Sequence, residues 1–368
     1  MRTGHPGPRG FLYRFRVDLL VLLVACAIFL PLVISPPHLM DDVDAVQAQI
    51  ARNMLESGDW VTARLDGVAY LEKSPLIYWI MASSFRVFGV HDWAARLPLA
   101  FINIALCWVT ARFAMWAFGK RAGIYAGTIL ATCIGMFLFT RILIPDAALT
   151  LTITVALWSL LRLMDESEPR PTLWLFLLYT SLACGLLLKG LIAAVFPVII
   201  GAIYLAITHE ASVKTIWSRL RPISGILVLL LIAAPWHILA AIRNPAIALP
   251  ANLGLPTTGG WAWFYLYNEH IARFLSKRIP HDYGLTPVWL FWLYLVLWIM
   301  PWAIFLPTAI TNEIRTLRNR AATTARQHEA SLSLLLWTLL VLGFFTISNR
   351  QEYYSLPALP AQIGRAHV

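Results

Sequence analysis

The chain is short of charge. Only 13% of its 368 residues are Asp, Glu, Lys or Arg, and only 19 are acidic. A soluble domain carries roughly 25% charged residues, so a soluble globular enzyme is excluded. Disorder is excluded as well, because 59% of the residues are hydrophobic and such a chain buries ample apolar surface. Cysteine is scarce. Cys26, Cys107, Cys133 and Cys184 lie in apolar stretches with no paired spacing, which reads as small buried thiols and not as a disulfide framework or a metal cluster. No basic–aromatic nucleic-acid module is present, and no internal repeat. No small-residue cleavage site follows the first apolar run, so Arg2, Arg9, Arg14 and Arg16 read as the flank of an uncleaved anchor.

What is there is hydrocarbon-compatible sequence. Nine apolar runs are long enough to be considered as spans: 17–35, 97–118, 122–140, 147–161, 173–188, 190–207, 223–241, 288–310 and 331–347. Inside a bilayer only helices satisfy the backbone without water or a closed barrel. The expected fold class is therefore all-α, a polytopic integral membrane protein with a helical bundle of about nine spans. The net charge of +10 has a matching explanation. With a cytoplasmic N-terminus, the short connections holding Lys120 and Arg121, Arg170, Lys214, Arg219 and Arg221, and Arg315, Arg318, Arg320 and Arg326 all fall on the cytoplasmic side, as the positive-inside rule requires.

The segment 75–90 is apolar but short and carries Arg86. Counting it as a span would move every later basic loop outside, so it reads as a re-entrant or interfacial helix. Residues 36–96 then form one long external loop and about 242–287 a second. Twelve of the 19 acidic residues fall on this side, which points to a polar site there.

Five places carry chemistry. The stretch 40–60 holds Asp41, Asp42 and Asp44 at the start of an amphipathic stripe. Carboxylates in a first turn cap a helix; just above a membrane one of them can also serve as a base. Glu72 and Lys73 precede Pro75 and an aromatic apolar segment, where a lysine at headgroup depth suits a lipid phosphate. Asp146 opens an apolar run after Pro145, and Lys189-Gly190 sits in a tight turn between two others. Ionisable groups at a membrane edge are costly and tend to have a task, and these two are expected to pair. Glu269, His270 and Arg273 lie together in the second loop; a histidine among carboxylates can bind a divalent ion. Arg350, Tyr353 and Tyr354 stand where the last run leaves the membrane.

The order of these motifs resembles one family. DDVDA, IARNMLESGDWVTARLDGVAYLEKSPLIYW, GVHDWAARLP, the lone Asp146, LLLKG, NEHIARFL and NRQEYYSLPALP follow one another as in the lipid-carrier-dependent GT-C glycosyltransferases. The subgroup it resembles is that of the aminoarabinose (lipid A) transferases and the related dolichyl-phosphate-mannose protein mannosyltransferases. The resemblance implies a polyprenyl-phosphate sugar donor and a lipid A-like, glycan or protein acceptor. It implies a multi-pass protein of the bacterial inner membrane whose active site faces the periplasm. It assigns the catalytic carboxylate to Asp42 first, with Asp44 and Asp41 behind it. Lys73 would hold the donor phosphate, and Asp146, Lys189, Arg273 and Tyr353 would line the same cavity. Glu72 and His270 match positions of a divalent metal, zinc by the resemblance. Two positions depart from the family pattern: Val46 and Gln47 stand where an Arg-Tyr pair is usual, and Ser74 where a proline is usual.

The expected domain runs over 1–362. Ile363–Val368 (IGRAHV) breaks the preceding pattern and reads as a non-native tail on a C-terminally shortened chain. The rival class is a transporter or lipid flippase, with Pro197 and Pro235 as helix breakers. Transporters keep their ionisable groups near the bilayer midplane, whereas these sit at span ends.

Overall fold

The computed structural model describes residues 8–39, 41–248, 258–280, 286–319 and 323–364. The chain is all-α apart from two two-stranded antiparallel ribbons, β1 (Arg64–Leu65) with β2 (Val68–Ala69) and β3 (Ile247–Ala248) with β4 (Thr258–Gly259). Helix α1 spans Pro8–Ile34, α2 Asp42–Ser57, α3 Leu76–Phe88, α4 Asp92–Phe118, α5 Lys120–Thr132, α6 Ile134–Phe139 and α7 Asp146–Met164. Then follow α8 (Pro171–Lys189), α9 (Leu191–Ile207), the single turn α10 (Val213–Thr215) and α11 (Pro222–Arg243). The last are α12 (Val288–Ile299), α13 (Leu306–Arg318), α14 (Ala325–Ile347) and α15 (Leu359–Gly364).

Among the described residues six helices are long and apolar enough to cross a bilayer, α1 from Phe15, α4, α7, α8, α11 and α14, and a bent pair brings the number to seven. The chain is thus a multi-pass membrane protein with fewer full spans than the nine apolar runs suggest. The difference has local causes. The run 122–140 breaks at Cys133, whose extended backbone (ψ 145°) separates α5 from α6. The run 288–310 bends by 102° between α12 and the segment that follows it. Pro301 stands at that bend, where it has no N–H to continue the helix. Helix α9 has 17 residues, somewhat short of a full crossing. The segment 75–90 forms the 13-residue α3, too short to span, as its length and Arg86 imply.

The described termini of the helices alternate. One end of the bundle gathers the starts of α4 and α7 and the ends of α8, α11 and α14, together with α2, α3 and the residues following β4. The opposite end gathers the basic connections. The long first loop is clamped onto the first of these ends. Trp236 Nε1 on α11 donates to the Val61 carbonyl at 3.0 Å, Arg243 reaches Asp59 at 2.8 Å and Asn244 donates to Thr62 Oγ1 at 3.0 Å. Arg96, fully buried near the start of α4, donates to the carbonyls of Pro36 and His38 at 2.5 and 2.7 Å. Beneath the loop, Ile50, Met54, Ile77, Tyr78 and Met81 pack with Leu143 and Leu188 into a core of their own, so α2 and α3 form a cap joined to the bundle by apolar contact. Of the expected non-native tail, residues 363 and 364 lie in α15 and 365–368 lie outside the described residues.

Candidate active site

The acidic start of α2 sorts its three carboxylates by helix phase. Asp41 is the N-cap; its side chain accepts from Val43 N at 2.8 Å. Asp42, first in the helix, is exposed and accepts from the same N–H at 2.8 Å. Asp44 falls on the inward face with 3% exposure and accepts from Leu143 N at 2.6 Å. Burial pushes its carboxyl up to about 6, against the pull of the Leu143 N–H and of Arg96. The preference for Asp42 over Asp44 is not what this geometry favours: Asp42 points outward and has the role of a first-turn residue.

Leu143 lies three residues before Asp146. Asp146 is buried at the start of α7, and its Oδ1 meets Lys189 Nζ at 2.5 Å, the expected pair. Its other oxygen, Oδ2, is buried and has no hydrogen-bond partner. The Lys189 ammonium also lies 4.7 Å from the ring centre of Tyr354 and 5.7 Å from that of Tyr353, within cation–π range. Burial pushes the Tyr353 hydroxyl far above its usual range, so it stays a neutral donor.

The turn after Lys189 leads to the next group. Gly190 has φ +72°, and a Cβ there would stand 2.1 Å from His270 Nε2; only glycine fits. His270 Nε2 accepts from Leu191 N at 3.0 Å. A backbone N–H only donates, so Nδ1 carries the proton and donates to the Tyr265 carbonyl at 2.6 Å. Burial pushes the imidazole below its usual value, in keeping with this neutral tautomer. The Tyr265–His270 pairing is an i, i+5 contact. It exists because Ala262–Ala272 is wound as a π-helix, a widened turn that often marks a functional site.

Glu269, next to His270, is the hub of an ion network. Arg278 Nε donates to one oxygen at 2.5 Å and Arg273 to the other at 2.9 Å, with Lys73 Nζ at 3.7 Å. Arg278 also reaches Glu72 at 2.9 Å, and Lys73 lies 3.9 Å from Glu72. Burial alone would raise the Glu269 carboxyl, but Lys73, Arg273 and Arg278 outweigh it and hold it below the usual range. Burial, and then the Arg273 charge, push the Lys73 ammonium down against the pull of Glu269 and Glu72. Among the described residues Lys73, Arg273 and Arg278 face the carboxylates of Glu72 and Glu269. Ser74, at a departing position, ties this cluster down: its hydroxyl donates to the Leu186 carbonyl at 3.0 Å and accepts from Tyr265 at 2.5 Å.

These contacts run continuously. Asp44 holds the segment leading to Asp146, Asp146 holds Lys189, the turn after Lys189 holds His270, and Glu269 holds Lys73. Asp44, Lys73, Asp146, Lys189, His270, Arg273 and Tyr353 therefore gather at one end of the bundle, while Asp41 and Asp42 stand at its rim. Glu269, Arg278 and Tyr354 belong to the same cluster. Arg278 gave no signal beyond a basic SKR stretch, because it folds back across a turn that Asn268 closes with bonds to both the N–H and the carbonyl of Ile279. Arg350 serves the backbone, donating to the carbonyls of Thr286, Thr346 and Ser348.

The expected metal pair does not fit. Both nitrogens of His270 are engaged with backbone, and Glu72 faces Arg278 and accepts from Tyr70 at 3.3 Å. Among the described residues no group of three His, Cys, Asp or Glu side chains stands close enough to hold an ion.

A profile of the dolichyl-phosphate-mannose-protein mannosyltransferase family matches residues 72–239. The undecaprenyl phosphate-alpha-4-amino-4-deoxy-L-arabinose arabinosyl transferase 1 of Pseudomonas fluorescens is 27% identical over 356 residues, covering 92% of this chain and 57% of its own length. The Proteus mirabilis protein of the same name is 26% identical over 365 residues, covering 96% and 59%. Among solved structures, ArnT from Cupriavidus metallidurans bound to undecaprenyl phosphate superposes with a TM-score of 0.79 at 24% identity, covering 95% of this chain and 59% of that one. The apo oligosaccharyltransferase of Archaeoglobus fulgidus gives 0.65 at 13%, covering 96% and 50%. The chain spans just over half the length of the relatives it matches. By sequence, and in fold over nearly its whole described length, the chain resembles the lipid-carrier-dependent GT-C glycosyltransferases.

Proposed function

We propose that this chain is the membrane part of a glycosyltransferase that moves a pentose or hexose from a polyprenyl-phosphate carrier to a lipid A-like acceptor at the outer face of the bacterial inner membrane. The observation that carries this reading is the cluster of Lys73, Arg273 and Arg278 around Glu269 at one membrane edge. A prenyl-anchored phosphate can occur only at that depth, because its tail stays in lipid. The names of the relatives and the undecaprenyl phosphate bound to the C. metallidurans protein support it.

The chemistry follows from the charges. An acceptor oxygen attacks the anomeric carbon; the bond from that carbon to the phosphate oxygen breaks, and the polyprenyl phosphate leaves with the electron pair. Phosphate needs no proton to leave, but it needs cations for its growing charge. Lys73 is the available one: its contacts to Glu269 and Glu72 are long, and its side chain is 29% exposed. Fixed cations of this kind are worth about 3–4 kcal/mol each to a transition state. Asp44, with its carboxyl raised, takes the proton of a hydroxyl acceptor. If the acceptor is a phosphate oxygen there is no proton to take, and Asp44 then steadies positive charge on the sugar. A single displacement inverts the anomeric centre. The basic loops at the opposite end support a periplasmic site under the positive-inside rule.

The test is transfer from a polyprenyl-phosphate sugar to lipid A in reconstituted vesicles, using the whole protein. Lys73→Ala is expected to lower kcat/KM roughly 10²–10³-fold with the fold intact. Folded Lys73→Ala and Asp44→Asn variants that both keep full transfer would overturn the reading.

A further inference from the structure

The opposite end of the bundle holds a second polar feature that the transfer reaction does not use. A cavity of about 180 Å³ is lined by Arg112, Met115, Trp116, Trp158, Arg162 and Arg326. No carboxylate lines it. The acids that balance the arginines sit behind them: Arg112 reaches Asp18 at 2.9 Å, Arg326 reaches Asp165 at 2.8 Å, and Arg162 places two nitrogens on one oxygen of Glu168. The acids anchor the guanidiniums, and the charged residues that line the cavity among the described residues are all arginines. The arginines are also held flat by tryptophan. Arg162 lies 5.4 Å and Arg326 5.2 Å from the ring centre of Trp116, and Arg162 lies 4.6 Å from that of Trp174.

A second observation is independent of these charges. Trp158 is nine-tenths buried, and its Nε1 has no hydrogen-bond partner. It is wedged between Phe113, at 5.9 Å, and Trp174, at 4.7 Å. A buried indole N–H without an acceptor is costly, and the ring that carries it lines the cavity.

The depth identifies the ligand. Asp18 lies three residues past the start of the apolar part of α1 at Phe15, Arg162 two residues before the end of α7, and Arg326 second in α14. This is headgroup level at the end where the basic connections gather. A basic pocket between helices at such a level takes lipid phosphate. The planar guanidinium fork matches phosphate oxygens, while Met115 and the tryptophan faces suit glycerol and the first methylenes.

We propose that this cavity binds the phosphate headgroup of an anionic membrane lipid, held by Arg112, Arg162 and Arg326. The site is distinct from the Lys73 cluster, and it stands whether or not the transferase reading does.

The experiment is thermal unfolding of the purified protein in detergent with added phosphatidic acid, phosphatidylcholine or inorganic phosphate. Phosphatidic acid is expected to raise the unfolding midpoint, and the other two are not. In the double variant R112Q/R326Q the apparent affinity for phosphatidic acid falls roughly fivefold for each arginine removed. Arg219→Gln, at the same end but outside the cavity, keeps the full response. Arg112→Gln alone weakens the response by the single factor, which gives a reading even if the double variant does not fold. Equal stabilisation by inorganic phosphate would assign the cavity to a soluble anion and overturn the lipid. An equal response to phosphatidylcholine, a full response in R112Q/R326Q or in R112Q, or an equal loss in R219Q would overturn the site.

Discussion

The two ends of the bundle use the same residue types to opposite effect. At the Lys73 end the carboxylates are shared: Glu269 alone meets Arg273, Arg278 and Lys73. At the Arg162 end they are private, one acid to each arginine. Sharing leaves the lysine loosely held, which suits a site where phosphate comes and goes. Private pairing fixes each guanidinium in one place. The difference predicts how each end fails when an acid is removed.

The largest effect is expected from Glu269→Gln. It leaves three cations around a neutral group that is almost fully buried, and breaking such a network from one side costs about 3–5 kcal/mol. Unfolding in denaturant should show that loss, and sugar transfer should fall with it. The counterpart at the other end is Glu166→Gln. Glu166 pairs with Arg219 at 3.1 Å but its side chain is 89% exposed, so the expected cost is under about 1 kcal/mol. Similar costs for the two would erase the contrast between a buried, shared acid and an exposed, singly paired one.

Next in size is Gly190→Ala. The new methyl group meets His270 Nε2, and the backbone there is left-handed. Strain of this kind costs about 1–3 kcal/mol. The imidazole must swing away from Leu191 N, so transfer should fall further than stability does. An alanine variant with wild-type transfer would show that His270 does not need its present place.

How much of this is legible in sequence follows the same contrast. Lys73, Asp146, Lys189 and His270 stand out because an ionisable group beside a long apolar run is rare and its depth is set by the run. Asp146 and Lys189 are foreseen as a pair for that reason. The choice among Asp41, Asp42 and Asp44 is less legible, since it depends on where α2 begins: one residue of phase moves a carboxylate from rim to interior. Arg278 and the π-winding that sets His270 over Tyr265 depend on loop closure, which no periodicity reports. The span count misleads for a related reason. Hydropathy counts apolar residues, and it does not register the break at Cys133 or the bend at Pro301.

The finest expected effect is one of pH, and it separates Asp44 from His270. Asp44 titrates at about 6, above its ordinary value. As a base it works only when ionised, so transfer to a hydroxyl acceptor should rise through about pH 6 and level off above it. Its effect on stability has the opposite sign. Between the ordinary carboxylate value and 6 the folded state holds the proton more tightly than the unfolded chain, so Asp44 stabilises the fold at low pH and that contribution is lost as pH rises through 6. His270 behaves in reverse. Its value is lowered on folding, so it favours the fold above the ordinary histidine range and the contribution is lost as pH falls. Asp44→Asn should therefore remove the rise in rate near pH 6 while leaving the loss of stability at lower pH that His270 produces. A rate profile in Asp44→Asn that still climbs through pH 6 would move the titrating base to another residue.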